Sequence, residues 1–304
     1  MTIIRFLRVF VVKCVYSMAK KHSTTALTAE QKQAQDARYA EGHEYDYVII
    51  GSGNSSLVVS TLLANKGYKV CILEAHDIPG GYVQSFKMGE YYFCGQVHYI
   101  WGCGPGGKIY EFLKHVGLEK DITFELLDPK GYDVMSMPDG KRVGIPYDFE
   151  NLVKNIEEAY PGQGAAVKKF SDIMMKVRKE FSYLPARAWT IKDYATIWYK
   201  VLSLIKYQNA TVQQVFDECG VARESQDVLM AGAGDFMECA DKLSFFAFAG
   251  LFGGYNTGAY YPTKHFKYYV DRLVQFITDK PGCHIYYETE VTKIVTKDGK
   301  VQHI

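Results

Sequence analysis

The sequence of 304 residues lacks the marks of several protein classes. Its seven cysteines, Cys14, Cys71, Cys94, Cys103, Cys219, Cys239 and Cys283, contain no CxxC pair and no cluster with histidine at zinc-finger spacing. An odd, scattered set argues against a disulfide scaffold and against a structural metal, and buried free thiols are expected instead. Charge of one sign is missing too. Lys+Arg number 35 against 34 Asp+Glu, a net charge of +1, which gives no basis for binding nucleic acid or a strongly anionic substrate. The apolar stretch from Ile3 to Val12 is interrupted by Arg5 and Arg8 and falls short of the roughly 20 residues of a membrane-spanning helix. There is no internal repeat or low-complexity tract. No Ser-His-Asp order, paired carboxylates or HExxH motif announces hydrolytic chemistry.

What is present is an ordinary globular composition, 48% hydrophobic and 23% charged, in a chain long enough for two domains. Aromatics reach 14%, with 24 Tyr and 17 Phe. They serve either a tyrosine-rich core or an apolar cavity for a large flat ligand. From Met1 to Ala29 there is no acidic residue, while Arg5, Arg8, Lys13, Lys20 and Lys21 carry positive charge. That pattern suits a basic amphipathic helix at a membrane surface, a signal peptide or a transit peptide. Ser23 to Gly42 is polar and helix-favouring and reads as a linker, so residues 1–44 form a targeting or anchor segment plus linker.

Tyr45 to Ile50 is a short apolar strand ending at a glycine turn. Asn54 to Lys66 follows with helical spacing, its inner face expected from Leu57, Val58, Leu62 and Leu63, and Lys69 to Leu73 is a second strand. Strand, helix and strand in so short a span make a βαβ unit with parallel strands. Further on, Asp133–Met137 and Lys141–Ile145 flank the turn-forming Pro138-Asp139-Gly140 as a hairpin. Asp148 to Phe252 is mainly helical, with Asp148 and Thr211 as N-caps. Thr263 to Asp279 reads as an amphipathic helix. Cys283–Tyr287, Val291–Thr296 and the residues from Val301 read as strands, the last pair joined at Asp298-Gly299. The chain stops at Ile304 within an expected strand, from which a C-terminally incomplete sequence is expected.

Gly51-Ser52-Gly53-Asn54-Ser55-Ser56 lies between the first strand and the helix. Gly51 permits the tight turn and Gly53 lets backbone approach a pyrophosphate. The helix start offers its unpaired N–H groups and positive dipole end to phosphate. Ser56 stands at the third position, where close helix–strand packing normally takes Gly or Ala. Glu74 ends the second strand, placed to accept both ribose hydroxyls. The alternative for the glycines is a structural turn, and for Gly80-Gly81 after Glu74 an ordinary Pro-Gly turn.

The stretch from Glu74 to Gly81 resembles the flavoprotein superfamily of amine oxidases and phytoene desaturases, in which this diglycine lies against the cofactor. The resemblance implies FAD, contacted by Gly80 and Gly81. Tyr91 to Ile100, with Gly95-Gln-Val-His98-Tyr-Ile100, is similar to retinol saturase and carotenoid isomerase. So are Gly258-Ala-Tyr260-Tyr261-Pro262 and Thr289-Glu-Val291-Thr-Lys-Ile294 before Gly299-Lys-Val301. The resemblance spans residues 45–304, loosely in its helical middle, and implies that the Val291 backbone meets the adenine end of FAD. Two departures stand out. Ser56 replaces the small third residue, and Lys264-His265 stand where the family has a diglycine, which threatens close backbone approach.

The fold implied is α/β: a Rossmann-like FAD-binding domain of residues 45–125 and 262–304, with an inserted, mainly helical α+β substrate domain of residues 126–261. The function implied is FAD-dependent oxidoreduction at a carbon–carbon double bond of a retinoid or carotenoid, as saturase, isomerase or desaturase. Its partners would be a lipophilic polyene and a membrane surface, in endoplasmic reticulum or plastid, with an electron partner left open. His98 is a candidate proton donor or substrate-orienting group, with a satisfied strand histidine as the alternative. Tyr260 and Tyr261 are candidates to line the substrate cavity, with core packing as the alternative. Another flavoenzyme of the superfamily, or a non-catalytic binding protein derived from it, remains open as well.

Overall fold

The computed structural model describes residues 29–40, 44–185, 187, 190–231, 236 and 238–304. The basic segment expected to act as leader or anchor lies outside the described residues. The chain divides into two compact units. One, the sheet unit, takes in the chain up to Tyr99 together with Tyr110–Glu125 and Tyr261–Ile304. The other, the helical unit, comprises Ile100–Ile109 and Leu126–Tyr260.

In chain order the sheet unit opens with α1 (Ala29–Ala40), β1 (Tyr47–Ile50), α2 (Asn54–Asn65) and β2 (Val70–Leu73). The hairpin β3 (Ser85–Met88) and β4 (Tyr91–Cys94) follows, then α3 (Lys108–Val116) and β5 (Phe124–Leu126). The helical unit holds the hairpin β6 (Asp133–Ser136) and β7 (Arg142–Ile145), then α4 (Phe149–Ala159), α5 (Gly164–Phe181) and α6 (Ile191–Ile197). It continues through α7 (Leu202–Tyr207), α8 (Val212–Cys219), α9 (Arg223–Leu229) and α10 (Phe245–Leu251). The chain returns by β8 (Tyr260–Pro262) to α11 (His265–Thr278), β9 (His284–Tyr286), β10 (Val295–Lys297) and β11 (Lys300–His303).

β2 is central in a parallel sheet of order β1-β2-β9, with Ile49 opposite Ile72 and Ile72 opposite Ile285. All four β2 residues are buried, as an apolar strand covered on both faces requires. Cys71 and Leu73 share one face with Tyr286, and Tyr45 and Val291 pack against them.

Three expectations need correction. The buried face of α2 is Leu57, Ser60, Thr61 and Ala64, not Leu57 with Val58, Leu62 and Leu63. These positions follow i, i+3, i+4, i+7, and the small residues among them let the helix sit close to its neighbours β1, β2 and α11. The strand expected from Val291 begins only at Val295, because Glu288 N–H bonds to His76 O and Thr289 N–H to Glu74 O. Those bonds draw the segment to the end of β2 before any ladder forms. Most of the expected linker is α1, and it is tied down: the buried amide of Gln35 donates to Tyr287 O at 2.7 Å and accepts from Tyr287 N–H at 3.0 Å.

In the helical unit the hairpin forms around Gly140, whose φ of +85° suits the turn. Asp148 caps α4 by accepting from Glu150 N–H, and Thr211 opens α8 with a reciprocal capping box to Gln214. The core is aromatic. Phe170 meets Phe216 at 4.5 Å and Phe245 at 5.6 Å between ring centroids, all three fully buried. Each such side chain contributes about 1.5–3 kcal/mol by leaving water.

Candidate dinucleotide-binding site

β1 runs into Gly51, whose N–H donates to Leu73 O at 2.8 Å and whose φ of +86° an L-residue adopts only under strain. Ser52 follows, fully buried. Gly53 is the N-cap of α2 with φ −61° and ψ 165°, and no side chain caps the helix. Its backbone would accept any residue, and a Cβ built there meets nothing within 4 Å. The missing side chain at Gly53 therefore leaves open space directly above the start of α2, where N–H groups point along the helix dipole.

The second diglycine sits on this turn. Gly80 N–H donates to Ser52 O at 3.0 Å, and Gly53 and Gly80 form a parallel β-bridge. Gly80 has φ +112°, and a Cβ there would come within 3.1 Å of Gln84 N. Gly81, at φ +56°, would bring a Cβ to 3.1 Å from Gly53 Cα. Both glycines are thus needed for a close backbone approach between two loops, which a simple Pro-Gly turn would not demand.

Glu74 lies at the end of β2, its N–H bonded to Tyr286 O. One carboxylate oxygen, Oε2, accepts from both Ser52 N–H and Ser52 Oγ–H at 2.6 Å, and Oε1 accepts from His76 N–H at 2.8 Å. A carboxylate oxygen has room for about two donors, so Oε2 is filled and Oε1 keeps one direction free. In this arrangement Glu74 can take one ribose hydroxyl, and the second only if Ser52 Oγ turns away. Burial, with the Glu74 charge adding to it, pushes the Tyr287 hydroxyl well above its ordinary range, so it stays protonated beside Glu74. Val291 is half-buried in the loop after β9, against Leu73 and Tyr286.

Ser56 is half-buried on α2 one turn before Ser60, whose buried hydroxyl lacks a hydrogen-bond partner. Asn54 Oδ1 accepts from the Tyr269 hydroxyl of α11 at 2.9 Å, which orders the first residue of the helix. Neither this bond nor the Ser52 clamp is legible in the sequence, because neither serine nor asparagine stands out in a glycine-rich turn.

His98 is exposed. Tyr260 belongs to the helical unit, where its ring covers Gly104; burial beside Cys103 and Tyr147 raises its hydroxyl. Tyr261 belongs to the sheet unit. Its hydroxyl, raised by burial and by the Cys94 thiol, lies 3.4 Å from Cys94 Sγ. Adjacent residues of β8 point to opposite faces, so these two tyrosines do not line one surface. His265 takes the family's glycine position with φ +71°, the left-handed conformation glycine favours. Its Nδ1 accepts from Lys267 N–H at 3.1 Å, which leaves Nε2 as the donor toward Cys94 Sγ at 3.6 Å. Lys264 is exposed and pairs with Asp121.

Among the described residues no His/Cys/Asp/Glu group is arranged to hold a metal ion, and no helix is long and apolar enough to cross a membrane. The glycine turn, the open space at Gly53, the uncapped α2 and Glu74 together fit the pyrophosphate and ribose of a dinucleotide.

A model of the NAD(P)-binding Rossmann-like domain matches residues 49–116. All-trans-retinol 13,14-reductase of Danio rerio is 23% identical over 267 residues, which are 84% of this chain and 43% of that protein. The human all-trans-retinol 13,14-reductase is 24% identical, over 76% of this chain and 39% of its own length. Prolycopene isomerase 2, chloroplastic, of an Oncidium hybrid cultivar is 22% identical, over 88% of this chain and 46% of its own length. The chain therefore spans less than half the length of these relatives. Among solved structures, an oxidoreductase from Methanosarcina mazei superposes with TM-score 0.56 at 17% identity, covering 84% of this chain and 54% of that one. Putrescine oxidase does so with TM-score 0.53 at 15% identity, covering 80% and 51%. These two carry the fold: a Rossmann-like dinucleotide domain with an inserted, mainly helical domain.

Proposed function

We propose that this chain, which belongs to the retinol saturase and carotenoid isomerase family of amine-oxidase-like flavoproteins, is the FAD-binding part of an oxidoreductase acting on a carbon–carbon double bond of a retinoid or carotenoid. The observation that carries the reading is the second diglycine seated on the first, Gly80 bridged to Gly53 beside Glu74. In the flavoproteins that this chain resembles a second diglycine lies against the cofactor, and the apposed loops here support the same use of Gly80 and Gly81. The relatives that act on all-trans-retinol and on prolycopene support the substrate class.

FAD, when bound, supplies hydride transfer to or from the polyene. The chain's own residues hold and orient it. The first N–H groups of α2 would hold the pyrophosphate, and Glu74 Oε1 would accept a ribose hydroxyl. By the resemblance, Gly80 and Gly81 would let backbone lie against the cofactor, and the Val291 backbone would meet its adenine end. His98, exposed on the sheet unit, is the candidate to protonate a carbon of the polyene or to orient it. We infer from the proposed lipophilic substrate a location at membranes, in endoplasmic reticulum or plastid.

The test is flavin binding followed by turnover. The purified chain, freed of loose flavin, is titrated with FAD and its visible spectrum recorded. Glu74→Ala loses a charge-assisted contact and should weaken FAD by about tenfold to a hundredfold. Ser52→Ala, which leaves the carboxylate in place, should not. A folded Glu74→Ala protein with unchanged affinity refutes the ribose assignment. Preference for a nicotinamide dinucleotide over FAD refutes the cofactor. Incubating the flavin-loaded protein with a retinoid and with a carotenoid then separates the two substrates.

A further inference from the structure

The α6–α7 region of the helical unit has an unusual composition. From Phe181 to Phe216 the only acidic residue is Asp193, against Arg187, Lys192, Lys200 and Lys206. Two of the three tryptophans of the whole chain fall in this stretch. Asp193 is already neutralised: Arg187 Nη2 donates to its Oδ1 at 3.0 Å, and it closes the capping box of α6 with Thr190. The segment is left with net positive charge.

Its anchoring decides which side faces out. The buried Glu180 carboxylate of α5 accepts Leu204 N–H at 2.7 Å, holding the start of α7. At the other end Lys206 Nζ and the Tyr207 hydroxyl both bond to Glu218 Oε1 of α8. Val201, Ser203 and Tyr207 are buried. The row left outside is Trp198 at 52% exposure, Tyr199 at 55%, Leu202 at 52% and Ile205 at 44%. Leu202 and Ile205 are three apart on one side of α7, and Trp198 and Tyr199 stand in the single 3-10 turn just before it, where Val201 breaks the helix. Lys200 Nζ lies 5.7 Å from the ring centroids of both Tyr199 and the exposed Tyr183. A short aliphatic ridge flanked by tryptophan, tyrosines and lysine is thus turned to solvent.

We infer that this ridge, Trp198, Tyr199, Leu202 and Ile205 with Lys200 beside it, docks the helical unit on an anionic lipid surface. Tryptophan and tyrosine are the side chains that prefer the boundary between headgroup and acyl chain. Leucine and isoleucine bury below that boundary. Lysine lays its stem along the apolar ridge and reaches the phosphate layer with its charge. A protein partner with an apolar pocket would satisfy the ridge, but Lys192 and Lys200, left over once Arg187 pairs with Asp193 and Lys206 with Glu218, are complementary to a sheet of negative headgroups. The proposal deepens the membrane location proposed above by naming the surface that makes the contact, while its test needs neither flavin nor polyene.

The full chain is mixed with phosphatidylcholine vesicles, with and without phosphatidylserine, and floated on a density step. Wild type should float with the anionic vesicles, and less as salt rises or phosphatidylserine is omitted. Leu202→Glu/Ile205→Glu, whose fold is checked by its melting curve, should weaken the association by about tenfold or more. The second variant is conservative. Vesicles carrying brominated acyl chains should quench tryptophan emission in wild type, and Trp198→Phe should remove most of that quenching. Quenching untouched by Trp198→Phe overturns the proposal even if the protein floats, since another segment then makes the contact. Equal binding to neutral vesicles overturns the headgroup part. A lipid-free dimer dissociated by Leu202→Glu/Ile205→Glu assigns the ridge to a second copy of the chain and overturns it outright.

Discussion

In the helical unit Phe170, Phe216, Phe245 and Phe248 are all fully buried around one another, whereas the glycine turn of the sheet unit hangs on a few polar links. Two bonds from Ser52 to Glu74, one from Gly80 to Ser52 and one from Tyr269 to Asn54 join segments distant in the chain. Apolar packing is redundant and non-directional, so it supplies bulk stability and tolerates small shifts. Directed bonds around glycines supply geometry, each worth only about 0.5–1.5 kcal/mol net. A scaffold for a dinucleotide needs the second kind, because the ligand must meet backbone at close range.

The contrast can be broken in three ways. Phe170→Ala should produce the largest loss of stability, about 3–5 kcal/mol, as a cavity opens among the three remaining rings. Denaturant unfolding followed by circular dichroism reads it. Dinucleotide affinity of the remaining folded protein should not change, and a lost affinity would mean the units are not independent. Gly51→Ala and Gly53→Ala form the second, sharper pair. At Gly51 an alanine must adopt φ +86°, costing about 1–2 kcal/mol, and stability and binding should fall together. At Gly53 an alanine meets no protein atom within 4 Å and should leave stability within about 0.5 kcal/mol while weakening FAD. Equal stability loss in both would show that Gly53 is a packing glycine.

The smallest effect concerns acid. Burial holds the His265 imidazole below its ordinary value, so the folded chain resists the proton that the unfolded chain accepts. Its contribution is fully present above the folded pKa of a neutral imidazole and its unfolded value of about 6.5, and is lost as pH falls through that window. The unfolding midpoint should therefore decline from about pH 7 downward. His265→Gly should flatten that decline and relieve the left-handed backbone. An acid slope the same in both proteins would assign it to other groups.

Local patterns carried much of the sheet unit. The β1–α2–β2 unit was legible because a strand, a glycine turn and a helical period are properties of adjacent residues, and Asp148 and Thr211 announced their helices by capping chemistry. The inner face of α2 was misjudged because hydrophobicity pointed to its leucines, while close packing chose serine, threonine and alanine. Val291 was read as strand because its neighbours are β-branched, yet long-range bonds to the end of β2 decide that segment. Gln35 looked like linker, since nothing in a polar helix tells which amide will meet Tyr287.

By itself, then, the sequence determined the dinucleotide motif, its order along the chain and the left-handed turn at Gly51, since these depend on backbone sterics and short-range periodicity. Only the tertiary structure decided that Gly80 lies on Gly53, that Ser52 fills one oxygen of Glu74, that Tyr260 and Tyr261 serve different units, and that Trp198 and Leu202 face water. Each of those is a contact, or the lack of one, between residues distant in the chain, and no local preference encodes which distant partner arrives.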